Sequence, residues 1–301
     1  MRVFVTGATG FIGSAIVQEL IAGGHQVVGL ARSDEAAAAL AHSGVEAHRG
    51  DLVDTDSLAA GARASDGVIH TAFIHDFSTF AANVETDRRA VKALVGALAG
   101  SGKPLVTASG TLMVSHCRPA TELDGPASIE VPRAAAETMV LTTDGVRGSV
   151  VRLAPAVHDR TRAGLVSRMA AFAREQGVAA YVSDGANRWP AVHCLDAAHL
   201  FCLALERAQP GSRLHAAADE GIPMRMIAEA IGEELGIPVR GIDAAEAPAY
   251  FGPFAAFVAL DNPTSSTITR ETLGWRPRQI GLLADMRDSE YLSRADPLVV
   301  R

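Results

Sequence analysis

The sequence has no basic stripe, no close pair of cysteines, no long apolar run, and no tyrosine before Tyr181. Each of the first three absences excludes a class of protein. Binding to a nucleic-acid backbone needs clustered Lys and Arg. Here 34 acidic residues outnumber 27 basic ones, and the formal charge of −7 is spread along the chain. No nucleic-acid partner is expected. No apolar run approaches the roughly 20 residues needed to span a bilayer, so no membrane partner is expected either. Cys117, Cys194 and Cys202 are odd in number and widely spaced, which predicts a reducing, cytoplasmic setting and no disulfide framework. The chain enters the strand-like run MRVFVTGATG at once, so no leader peptide is expected. It also lacks a Pro/Gly/Ser linker and internal repeats, which argues against two tethered domains.

What is present is an alternation. RVFVT (2–6), QVVGLA (26–31), VEAHRG (45–50), GVIHTA (67–72), PLVTAS (104–109) and GSVVRLA (148–154) are short apolar runs, and helical stretches separate them. Strands that read as continuous apolar runs are covered on both faces. The pattern predicts an α/β fold, a doubly wound parallel sheet flanked by helices. After residue 155 the alternation loosens into helical spacing over 164–177, 195–208 and 223–236, and SRLHAAA (212–218) reads as a returning strand. The expected organisation is a dinucleotide-binding core over 1–160, rejoined by 188–218. A smaller substrate lobe is expected from 161–187 and 219–301.

TGATGFIG (6–13) lies between the first strand and the first helix. In that context Gly7 turns the chain, Gly10 lets the backbone approach a pyrophosphate, and Gly13 lets helix and strand pack closely. The helix N-terminus then offers free N–H groups to phosphate. The alternative is a turn with spare glycines. An NAD site places Asp or Glu at the end of the second strand, about 20 residues on. Here that strand ends in Ala31, followed by Arg32 and Ser33. A guanidinium pairs with a 2′-phosphate, so NADP(H) is expected in preference to NAD(H), with Asp34 serving as a helix cap.

At these residues the sequence resembles the extended short-chain dehydrogenase/reductases, the NAD-dependent epimerase/dehydratase-like proteins. TGATGFIG matches their TGxxGxxG. GDLVD (50–54) looks like the adenine-contacting segment, and VIHTAF (68–73) resembles the strand whose end passes the cofactor ribose. RWPAVHCLDAA (188–198) and LGWRP (273–277) resemble late family segments, so the likeness covers nearly the whole chain. It implies a Rossmann-type sheet with a C-terminal substrate lobe. It also implies cofactor contacts from Gly7, Thr9, Gly10, Phe11, Ile12, Gly13, Arg32, Ser33, Asp51, Leu52, Thr71, Ala72, Phe73, Arg133 and Pro155.

The family carries Ser or Thr after the fifth strand, then Tyr-x-x-x-Lys at the head of the next helix. VTASGT (106–111) supplies Ser109 and Thr111. IEVPRAAAE (129–137) aligns with the Tyr-Lys segment, so the Lys position is Arg133 and the Tyr position Ile129, with Glu137 one turn beyond. Isoleucine cannot move a proton, and arginine titrates too high to relay one. Arg133 then reads either as a retained cofactor contact or as a solvent-facing residue of a helix first turn, in company with Pro132. Ser109 and Thr111 remain to stabilise charge on a substrate carbonyl.

For the missing acid, His75, His116 (beside Cys117) and His158 follow carboxyl ends of strands, where imidazole suits proton transfer. The alternative for each is an ordinary loop histidine. His193, Asp196 and His199 straddle a strand-to-helix boundary and read as structural, so no metal is expected. Arg188 and Trp189 match a place where the family often binds substrate. Tyr250, Phe251, Phe254 and Phe257 either line an apolar pocket or pack the small lobe.

The reading is an NADP(H)-dependent oxidoreductase of atypical extended type, acting on a carbonyl or hydroxyl of a small organic substrate, with Ser109, Thr111 and Arg133 as catalytic residues and His75, His158, Arg188 and Trp189 toward the substrate. The alternatives are a non-catalytic NADP(H)-binding sensor and a cofactor-retaining epimerase or isomerase. Small side chains on helices near 83–99 and 133–144, together with the resemblance, suggest a homodimer.

Overall fold

The computed structural model describes residues 1–76, 79–114, 118–126, 133–160 and 164–287. The first half runs β1 (Arg2–Thr6), α1 (Phe11–Ala22), β2 (Gln26–Ala31), α2 (Asp34–His42), β3 (Glu46–Arg49), α3 (Thr55–Arg63), β4 (Gly67–His70), α4 (Phe80–Leu98), β5 (Pro104–Gly110), α5 (Ala134–Thr142) and β6 (Arg147–Leu153). Then come β7 (Ala156–His158), α6 (Leu165–Gln176), β8 (Ala179–Val182), β9 (Arg188–His193), α7 (Cys194–Arg207), β10 (Ser212–Ala216) and β11 (Asp219–Pro223). The described chain closes with α8 (Met224–Leu235), β12 (Val239–Ile242), α9 (Ala247–Phe251), α10 (Ala255–Val258), α11 (Thr267–Leu273) and α12 (Leu282–Met286).

The main sheet has seven strands in the order β10-β6-β5-β4-β1-β2-β3, and each neighbouring pair is parallel. This is a Rossmann-like α/β sheet. Its apolar runs have the predicted cause, since Val3, Phe4 and Val5 are all wholly buried. One face packs against α1 and α7 around Ile16, Leu20, Leu200 and Phe201. The other packs against α3, α4 and α5 around Leu58, Leu94 and Val140. Strand order reverses between β1 and β4, and in such sheets the ligand crevice opens at the carboxyl ends beside that reversal.

Later segments build a separate apolar core from α6, β8, β9, α8 and the aromatic run of α9 and α10. The strands β11-β9-β7 form a small sheet there. Asp196, at the head of α7, accepts hydrogen bonds from the backbone N–H groups of Arg278 (2.9 Å) and Gln279 (3.0 Å). The indole of buried Trp275 donates to the Asp196 carbonyl at 3.0 Å. The LGWRP segment is thus fastened under α7. Among the described residues, no helix is long and apolar enough to cross a membrane.

Candidate active site

β1 delivers its last residue, Thr6, to the crevice, and Gly7 turns the chain at φ +72°. A side chain is strained at that angle. The N–H of Gly10 closes the turn on the Gly7 carbonyl at 2.9 Å. Helix α1 then starts at Phe11 with no side-chain cap and no acidic residue in its first turn. Its leading N–H groups and the positive end of its dipole therefore meet no competing carboxylate on the helix itself, the arrangement that binds phosphate. A Cβ at Gly13 would lie 1.9 Å from the Gly7 carbonyl oxygen, so only glycine lets helix and turn approach this closely. These features fit a dinucleotide pyrophosphate.

A cleft of about 630 Å³ lies beyond the ends of β2 and β3, lined by Ala31, Arg32, Ser33, Asp34, Glu35, Arg49, Gly50, Asp51 and Asp54. Its carboxylates are mostly committed. Asp54 caps α3 by accepting from Ser57 N–H at 3.0 Å, and Asp51 accepts from Val53 N–H at 3.2 Å. Glu35 is held below the usual carboxylate range by its own backbone N–H and then by the Ser33 hydroxyl. Asp34 is paired with Arg49.

At the ends of β4 and β5 a chain of polar contacts crosses the sheet. The Thr6 hydroxyl lies 2.7 Å from His70 Nδ1, and His70 Nε2 lies 3.2 Å from Asp87 Oδ1. A carboxylate only accepts, so His70 donates to Asp87 through Nε2. Arg133 donates from Nε to Asp87 Oδ2 (3.1 Å) and from Nη2 to the Ala108 carbonyl (2.7 Å). Burial pushes the Asp87 carboxyl upward, but the Arg133 charge and the His70 hydrogen bond outweigh it, and the group sits below its ordinary value. The Arg133 guanidinium lies over the Phe73 ring, 4.6 Å from its centroid, a cation–π contact.

His75 meets Phe73 edge-on at 5.2 Å. Its residue is exposed at the rim, and its pKa is lowered from the ordinary 6.5, first by desolvation and then by the Arg133 charge. Both effects favour neutral imidazole. From Phe73 an aromatic run continues through Phe80 (6.0 Å) and Phe257 (6.3 Å) to Phe254 (6.0 Å), linking the crevice to the second lobe.

A second charged group lies on the far side of β5. Wholly buried Arg152 holds both oxygens of Glu137, from Nε at 3.1 Å and by a shorter Nη2 contact, while Arg213 reaches the same carboxylate at 3.2 Å. Ser109 donates its hydroxyl proton to Glu137 Oε2 at 3.3 Å.

The model of the NAD dependent epimerase/dehydratase family matches residues 3–216. The chain belongs to that family. An uncharacterized protein of Schizosaccharomyces pombe is 44% identical to this epimerase/dehydratase-family chain over 294 residues, covering 97% of this chain and all of that protein. The 2-alkyl-3-oxoalkanoate reductase of Stenotrophomonas maltophilia is 28% identical over 257 residues, 79% of this chain and 77% of the reductase. Among solved structures, a dTDP-glucose 4,6-dehydratase of Streptomyces venezuelae with NAD bound superposes with a TM-score of 0.76. It is 20% identical and covers 97% of this chain and 96% of that one. At that identity the likeness shows the fold.

Within this family member the crevice gathers Gly7, Thr9, Gly10, Phe11, Ile12 and Gly13 at the turn, with Thr71 and Ala72 against it. Built on Gly7, a Cβ would lie 2.8 Å from both Ala72 N and Thr71 Oγ1. Leu52 is buried in the core behind the cleft, and Pro155 is buried between β6 and β7.

Several expectations are corrected. Thr111 is wholly buried, with its hydroxyl donating to Asn262 Oδ1 at 2.6 Å, so it has no proton to offer a carbonyl here. Trp189 is wholly buried against Phe254 in the second lobe, and presents no surface to a substrate. His158 is likewise buried, its Nδ1 2.6 Å from Asp285. Arg188 is half-exposed but gives its backbone N–H, Nε and Nη2 to Asp261. The helix cap is Ser33, which accepts from Ala36 N–H at 3.2 Å, while Asp34 turns to Arg49. Arg133 precedes α5 in a left-handed conformation, φ +69°, with its side chain turned inward, so it is not a solvent-facing first-turn residue. Such a backbone costs on the order of 1–3 kcal/mol unless its surroundings hold it; Asp87 and Ala108 do so. His193 accepts from Leu195 N–H, Asp196 holds the 278–279 backbone, and His199 pairs with Glu19, so the three share no site. Ile129, Pro132, His116 and Cys117 lie outside the described residues.

Sequence reasoning missed Asp87 and Arg49. The signal for Asp87 was a carboxylate among the apolar positions of α4, in phase with Ala90, Val91 and Leu94. Arg49 ends a strand-like run and carried no signal beyond its charge.

Proposed function

We propose that the protein is an NADP(H)-dependent oxidoreductase acting on a carbonyl or hydroxyl of a small organic substrate. The dinucleotide, when bound, supplies the hydride donor or acceptor. The chain supplies the rest. The uncapped start of α1 binds the pyrophosphate. Arg32 is exposed at the cleft, and no hydrogen bond or ion pair is seen for it among the described residues. It stands ready for a 2′-phosphate. Arg133 is a fixed cation at the ends of β4 and β5, and neutral His75 beside it exchanges the substrate proton. The aromatic run from Phe73 to Phe257 excludes water from one side.

The observation that carries this reading is the placement of His75 and Arg133 together at the carboxyl end of β4, beside the glycine turn. That puts a titratable group near Arg133, in a chain whose aligned tyrosine position is isoleucine. The oxidoreductase activity of the Stenotrophomonas relative supports it, and makes 2-alkyl-3-oxoalkanoates the first substrates to try. Purified protein is incubated with NADPH deuterated at the transferable position and a panel of 3-oxo acids and simple ketones. Deuterium on the product carbinol carbon is expected; a panel with no labelled product and no NADPH consumed refutes the reading.

One observation favours a second reading, a non-catalytic NADP(H)-binding sensor: the Ser109 and Thr111 hydroxyl protons are both committed within the protein. A sensor binds NADPH and NADP⁺ with different affinities and turns over nothing. We also infer a reducing cytoplasmic setting, supported by free, buried Cys194 and Cys202, and a homodimer paired through the small side chains of α4 and α5. Equilibrium sedimentation at the monomer mass would end the latter idea.

A further inference from the structure

We propose that Arg49 is a second ligand for the 2′-phosphate, released from Asp34 when the phosphate arrives. The inference rests on the NADP(H) reading above and names a specificity-determining residue that the second strand does not contain. Arg49 is the last residue of β3 and stands opposite Ala31 in the parallel register. Its backbone is fixed, because Gly50 N–H donates to the Ala31 carbonyl at 3.2 Å and the Ser57 hydroxyl donates to the Arg49 carbonyl at 2.8 Å. Its side chain enters the same cleft wall as Arg32.

The other polar group expected at this place is engaged. Ser33 accepts from Ala36 N–H at 3.2 Å, so its hydroxyl oxygen is engaged in capping α2. Asp51 and Asp54 are likewise held by backbone N–H groups. The Asp34–Arg49 contact is open to exchange, because it joins side chains that keep 91% and 53% of their surface exposed. Exposed ion pairs contribute little net stability. A phosphate dianion offers more charge and a matching two-pronged acceptor geometry, so the guanidinium exchanges one oxyanion for another. Freed Asp34 then swings toward solvent. With NADH no such exchange occurs, and the pair stays closed.

The test is calorimetric titration of the full-length protein with NADPH and with NADH, in four forms: wild type, Arg32→Ala, Arg49→Ala and Asp34→Asn. Wild type is expected to prefer NADPH. Arg49→Ala is expected to lose about tenfold in NADPH affinity, the value of one charge-assisted hydrogen bond to a phosphate dianion, with NADH unchanged within about twofold. Asp34→Asn frees Arg49 and removes a competing charge, so NADPH affinity rises by about threefold or more. If wild type shows no preference for NADPH, the cofactor reading fails and this inference with it. If wild type prefers NADPH and Arg32→Ala abolishes the preference while Arg49→Ala leaves it intact, Arg49 is no ligand and only its assignment falls. A loss of NADPH affinity in Asp34→Asn would overturn it independently of how the arginine variants fold.

Discussion

Replacing Gly13 by alanine probes the glycine turn at its tightest point. The new Cβ would stand 1.9 Å from the Gly7 carbonyl oxygen, 2.7 Å from the Gly7 carbonyl carbon and 3.2 Å from Ala8 Cα. The first of these is about 1.5 Å inside ordinary contact, and all three atoms are backbone, so no side chain can rotate away. Either α1 recedes from β1 or the turn deforms. Overpacking of this kind costs about 1–3 kcal/mol. The leading N–H groups of α1 move with the turn, and losing one charge-assisted phosphate contact, worth about 1.5–3 kcal/mol, lowers dinucleotide affinity about tenfold to a hundredfold. Gly96 is the matched control. It lies inside α4, and a Cβ added there would meet nothing within 4 Å, so alanine raises stability by about 0.5–1 kcal/mol and leaves binding alone. Urea denaturation and calorimetry with NADPH read both effects. If Gly13→Ala keeps stability and binds NADPH within about twofold of wild type, the close approach has no role in phosphate binding and the reasoning fails.

Other consequences follow from burial and charge. Arg152→Ala strands the Glu137 carboxylate in the interior with only Arg213 and Ser109 for company, so stability falls by about 3–5 kcal/mol, and a urea midpoint close to that of wild type would contradict this. Trp189→Ala empties a wholly buried site in the second lobe, costing about 3–5 kcal/mol while NADPH affinity stays unchanged; a selective loss of substrate binding with full stability would restore Trp189 to the substrate site. His75 has a pKa depressed below 6.5, so it is neutral and able to act as base above 6.5. The expected kcat/KM for alcohol oxidation therefore rises with pH through a pKa below 6.5 and is flat above it, and His75→Gln removes that limb. By the same linkage, whatever stability His75 contributes is present above 6.5 and lost as pH falls through its folded pKa. An unchanged pH profile in His75→Gln rules out its role as base.

The parts of the fold legible in the sequence were those written locally. β1 and α1 announce themselves because TGATGFIG needs glycine at fixed spacing, and the buried strands because both faces are apolar. The returning strand Ser212–Ala216 was also legible from its run. The site was legible only where one segment makes it. Thr111 was misassigned because its partner, Asn262, lies 151 residues away, and His158 because Asp285 lies 127 residues away. Trp189 sits in a strand whose alternate residues face a core built from later helices, and nothing in RWPAVH itself says which face that is. The inward turn of Arg133 depends on Asp87, a carboxylate from a helix 46 residues earlier. Pairings of this kind are tertiary facts, and local spacing does not encode them.

The oxidoreductase reading and the Arg49 assignment both require that the turn after β1 grip a dinucleotide carrying a 2′-phosphate. Calorimetric titration of the purified, cofactor-free protein with each of NADPH, NADP⁺, NADH and NAD⁺ puts that grip to the test. One site per chain and tighter binding of both phosphorylated forms are expected. Absence of binding heat for all four at any temperature tried would refute it.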